Sequence, residues 1–103
     1  MSENNYGYGR EKLYLAINSL STGTGPIQER LETVAIGLLG LTSFQDLLPA
    51  KLMPELKAII QELTKIPGLD GAIVATTQAM SDEEGVAIAG RILSLYIELR
   101  GGI

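Results

Sequence analysis

The chain has 103 residues, 46% of them apolar, and a net charge of −4 from 8 basic and 12 acidic side chains. It has neither cysteine nor histidine, which removes disulfides, thiolate metal sites and the side chains that supply most general bases and activated nucleophiles near neutral pH. The length fits one domain, the apolar share is too high for a disordered chain, and the scattered cations form no cluster that would track a phosphate backbone.

The first nine residues are polar, with Gly7 and the tyrosines Tyr6 and Tyr8, and read as a loose arm before one domain over 10–103. Met1 to Asn5 carries no basic stretch followed by an apolar one, so no signal peptide is read. No apolar run reaches the length of a membrane span. A cytoplasmic protein with no membrane partner is expected.

From Arg10 the pattern turns helical. Leu13, Ala16, Ile17 and Leu20 recur at the spacing of one helix face. Ser21 to Gly25 ends that helix. The next is expected to begin at Pro26, which suits a first helical turn, with Thr24 or Gly25 as its cap. Ile27, Leu31, Val34, Ala35 and Leu38 form its stripe, and Gly40 its end.

Ser43 with Asp46 three residues on is a weak capping signal for a short turn through Leu47 and Leu48. Pro49 and Pro54 then punctuate the chain. A longer helix follows from about Pro54 to Lys65. Leu56, Ile59, Ile60 and Leu63 face inward, and Lys65 complements the negative helix end.

Pro67 to Gly71 is a loop. The segment 72–80 is rich in β-branched residues, yet no second strand is visible to pair with it, so a helix is expected there. Ser81 and Glu84 form an S-x-x-E capping box that opens a last helix from 82 to about 100. Val86, Ile88, Ala89, Ile92, Leu93, Leu95, Tyr96 and Leu99 cover most of its circumference. A helix so apolar is expected to be buried on most sides, with Ile92 and Leu93 both in the core. The fold class is all-α: a compact bundle of four to five helices with short Gly- and Pro-containing connections.

Few motifs carry chemistry. The stretch Ser21 to Pro26 alternates glycine and threonine before a helix, as phosphate loops do. Pro26 removes one needed N–H, and no Lys-Ser or Lys-Thr follows the last glycine. It reads as a linker. No carboxylate pattern matches a metal loop or a di-iron bundle, so no cofactor or metal is expected.

The interaction candidates are Tyr6, Tyr8, Tyr14, Arg91 and Tyr96. Tyrosine joins apolar area to a polar tip, and arginine is enriched at interface anchors. Arg91 also reads as an exposed cation screened by Glu98. The glycines Gly37, Gly40, Gly85 and Gly90, within helices or at their ends, suggest close helix contacts that offset their propensity cost.

The functional expectation is a small acidic non-enzymatic protein that acts by protein–protein interaction, first with a copy of itself as a homodimer or larger homo-oligomer, and not with nucleic acid. The alternatives are a small-molecule binder with an apolar inter-helix pocket fixed by Arg91, a tyrosine or a carboxylate, and a small enzyme working without His or Cys.

Overall fold

The computed structural model describes residues 6–43 and 47–101. Among these residues there are five helices and no strand: α1 Gly7–Thr22, α2 Ile27–Leu41, α3 Met53–Leu63, α4 Ala72–Ala79 and α5 Asp82–Leu99. The all-α reading holds. The Cα extents of 45 × 25 × 16 Å describe a slab. Two helix layers ~9 Å apart, each with a Cα radius of ~2.3 Å, span roughly 14 Å, so the slab is about two helices thick.

The helix α1 starts earlier than the arm reading expects. Gly7, Tyr8 and Gly9 are already helical, and Gly9 is buried against the Leu47 carbonyl and the Leu48 side chain. Residues 1–5 of the expected arm lie outside the described residues. Leu13, Ala16 and Leu20 are buried as the periodicity predicts, and Ile17 packs partly against them.

Pro26 is the N-cap of α2 rather than its first residue, so neither Thr24 nor Gly25 caps it. Arg30 folds back instead. Its Nε donates to the Gly25 carbonyl at 2.9 Å and a terminal nitrogen donates to the Leu20 carbonyl at 2.6 Å. The guanidinium thus satisfies a carbonyl of the last turn of α1, which the helix itself leaves open. A Cβ on Gly23 would come within 2.6 Å of the Arg30 stem, which explains that glycine. The glycine-threonine stretch is a corner closed by Arg30.

Leu31, Val34, Ala35, Leu38 and Leu41 of α2 are buried. This helix touches each of the other four, so α2, not α5, is the centre of the fold. The Ser43–Asp46 cap falls mostly outside the described residues. Beyond it, Leu48 and Leu52 enter the core, and a turn closed by Leu52 N–H to the Pro49 carbonyl leads into α3. Leu56, Ile59 and Leu63 of α3 are buried, and Ile60 only partly. Lys65 lies beyond the helix end and pairs with Glu62 at 3.2 Å.

Residues 72–79 are helical as expected, entered through Gly71 at φ 101, a backbone state that glycine adopts at little cost. Threonine is an unusual core residue, yet Thr76 and Thr77 are both buried here. The Thr77 hydroxyl donates to the Ile73 carbonyl at 2.9 Å. The Thr76 hydroxyl accepts the Ile66 N–H at 2.9 Å, which ties the loop after α3 to α4.

The capping box of α5 is complete. Glu84 N–H donates to the Ser81 hydroxyl at 3.1 Å, and Ser81 N–H donates to the Glu84 carboxylate at 2.9 Å. The burial expected for α5 is not what the structure has. Only Gly85, Ile88, Ile92 and Leu95 are buried, whereas Val86 is 62% exposed and Leu93 45%. A two-layer slab offers a helix at its surface one buried stripe, and α5 packs chiefly on α1, α2 and α3.

Candidate functional site

Two features of α5 stand out. On one flank, a groove of about 420 Å³ separates it from α4 and the end of α3. Its apolar wall is Ile66, Ala79, Met80, Ala87 and Ile88, and its polar rim is Glu62, Lys65, Glu84 and Arg91.

The rim groups are engaged with one another or with nearby residues. Arg91 is held by Glu55 on α3, with Nε to Oε2 at 2.9 Å and a second nitrogen to Oε1 at 3.1 Å. This two-point fork is the preferred arginine–carboxylate geometry. The hydrogen bond from Arg91 holds the Glu55 carboxyl below its ordinary 4.5 and raises the arginine in turn. Arg91 is therefore a link between α3 and α5, and its partner is Glu55 rather than Glu98. Glu84 is held low by the Ser81 N–H. Lys65 is on Glu62 and Thr76 on Ile66. No buried side-chain polar atom among the described residues lacks a partner. Among them, no three of Asp and Glu converge as a metal-binding cluster.

On its outer flank α5 carries a largely exposed apolar strip. Val86, Gly90 and Leu93 are exposed and Ile97 is half-buried. Among the described residues, a Cβ on Gly90 would meet nothing within 4 Å, and the same holds for Gly37 and Gly40 on α2. Among the described residues the close contacts expected at Gly37, Gly40 and Gly90 are absent; of the four glycines, Gly85 is the tightly packed one, against Ile27 and Leu31. On α2, Ile36 is 66% exposed and Leu39 43%.

The tyrosines divide. Tyr14 and Tyr96 lie together with ring centroids 6.2 Å apart, and Arg100 sits over the Tyr96 ring at 5.8 Å. Tyr8 is half exposed and carries Lys12 over its ring at 5.4 Å. Tyr6 is the N-cap of α1 in a left-handed conformation, φ 56. Thus Tyr14 and Tyr96 meet beside the α5 strip, while Arg91 faces the groove on its other side. Arg100, which joins the tyrosine pair, belongs to no motif in the sequence.

The fold and site define the class only: a two-layer helical bundle with an amphipathic groove and unpartnered apolar helix faces. No family model matches the chain, and no curated protein or solved structure is significantly similar to it. No helix among the described residues is long and apolar enough to cross a membrane.

Proposed function

We propose that this chain is a cytoplasmic, non-enzymatic helical scaffold or adaptor that works by binding protein, its own copy first. The observation that carries this reading is the outer flank of α5, where large aliphatic side chains face water in a lone chain. The exposed Ile36 and Leu39 add a second such face on α2. Scattered single apolar residues are normal at a surface, but aligned ones mark interaction sites.

The test combines solution size with partner capture from native extract by the wild type and by Ile36→Glu and Leu93→Glu. Self-association, or a partner that is captured by the wild type and lost with either variant, supports the reading. A monomer that captures nothing variant-sensitive overturns it.

The groove supports a second reading, a small-molecule binder. Its volume suits a small ligand, and its walls are apolar with a charged rim. Its polar groups are already paired, so a ligand would compete with Glu55 for Arg91. This is why the protein-binding reading is placed first. A ligand that protects Arg91 from guanidinium-directed labelling in a monomeric sample would reverse that order.

A further inference from the structure

We propose that two copies of this chain pair through α5, antiparallel, with the outer flank of each helix as the seam. This deepens the protein-binding reading and rests on it.

The seam follows from spacing. Glu83, Val86, Gly90, Leu93, Ile97 and Arg100 succeed one another by three, four, three, four and three residues. That is the heptad repeat of a two-helix interface. All but the half-buried Ile97 are exposed, and a Cβ on Gly90 would meet nothing within 4 Å among the described residues. The helix of 18 residues is ~27 Å long and carries the seam from Glu83 to Ile97, with Arg100 at its C-cap.

The occupant follows from the order of residues along the seam. An acid stands at its start, a base at its end, and a glycine and a leucine on either side of its midpoint. Turned end for end, a second α5 sets Glu83 opposite the partner's Arg100, Val86 opposite the partner's Ile97, and Gly90 opposite the partner's Leu93. Each layer is then complementary, in charge for the outer one and in size for the inner one. The two-fold axis repeats each layer, as a self-complementary interface requires. The helix dipoles also oppose each other head to tail. A parallel pair instead stacks Glu83 on Glu83, Arg100 on Arg100 and Gly90 on Gly90, which repels at both ends and leaves a gap in the middle.

The interior glycine is thereby explained. Gly90 is a cost to the helix that no contact among the described residues offsets, and a leucine from a second copy fills the space above it. The seam is too short for a free-standing coiled coil, and the bundle beneath it keeps the helix formed.

The cysteine-free chain allows a direct test. Glu83→Cys and Arg100→Cys single variants are mixed in equal amounts and oxidised gently, with the concentration-dependent mass of the wild type and of Leu93→Glu measured alongside. The expected result is a dimer linked mainly between the two different variants, little disulfide within either variant alone, and a folded, monomeric Leu93→Glu. Circular dichroism verifies that the last variant keeps its helix content. A dimer that links like variants, or that survives Leu93→Glu, overturns the antiparallel seam and leaves the protein-binding reading standing on another face. A wild type that stays monomeric up to millimolar concentration also overturns the seam. The broader reading then depends on the variant-sensitive partner capture described above.

Discussion

Gly85 on α5 lies against Ile27 on α2 so closely that a Cβ on the glycine would stand 2.9 Å from Ile27 Cγ2. This contact sets how near the two helices come. Gly85→Ala is expected to destabilise the chain by about 1–3 kcal/mol, because the overpacking outweighs the gain in helix propensity. Gly90→Ala, with open space above it, is expected to stabilise the dilute monomer by up to ~1 kcal/mol. Urea unfolding of the two variants checks the contrast, and equal signs would contradict it.

Ile92 and Leu93 are neighbours in sequence and opposites in structure. Ile92 is fully buried, whereas Leu93 is 45% exposed. Ile92→Ala is expected to cost about 2–5 kcal/mol, the range for truncating a core aliphatic. Leu93→Ala is expected to stay within ~0.5 kcal/mol in the dilute monomer. Measured midpoints that fall by the same amount would place both in one core.

The contrast between these two residues also marks where the sequence stops being informative. Helix positions were legible because Leu13, Ala16 and Leu20, or Leu56, Ile59 and Leu63, leave one apolar stripe among polar residues. On α5 nearly every face is apolar, so periodicity cannot choose which stripe is buried. That choice is made by α1, α2 and α3, which cover only one side. The Ser81 and Glu84 cap was legible because it is local. The pairing of Arg91 with Glu55 was not, because 36 residues separate them and Glu98 is nearer in sequence. Arg30 was missed for a different reason: its partners are backbone carbonyls, which leave no trace in residue type.

Thr76 and Thr77 are buried side by side but do different work. Thr76 accepts the Ile66 N–H at 2.9 Å. Thr76→Val keeps the shape and leaves that donor unpaired, at an expected cost of about 1–3 kcal/mol. Thr77 donates to the Ile73 carbonyl, which lies within its own helix and keeps its backbone role. Thr77→Val is expected to cost well under that. Amide hydrogen exchange gives the sharper readout: Ile66 should lose protection in Thr76→Val and keep it in Thr77→Val.

Glu55 makes stability depend on pH through its pairing with Arg91. The hydrogen bond from Arg91 lowers the carboxyl below its ordinary 4.5, so the folded chain binds that proton less readily than the unfolded one. The contribution is therefore full above pH 4.5 and is lost as pH falls through the folded value. Both side chains are more than a third exposed, so solvent screening holds the contribution to about 1 kcal/mol or less. Glu55→Gln is expected to lower stability by that amount at neutral pH and to match the wild type in strong acid. Glu84, held low by the Ser81 N–H, titrates with the same sign and is present in both proteins, so it cancels from the comparison. The measurement is the difference in urea midpoint between wild type and Glu55→Gln across the acid range. A difference that stays constant as pH falls would show that the carboxylate's charge is not what Arg91 holds.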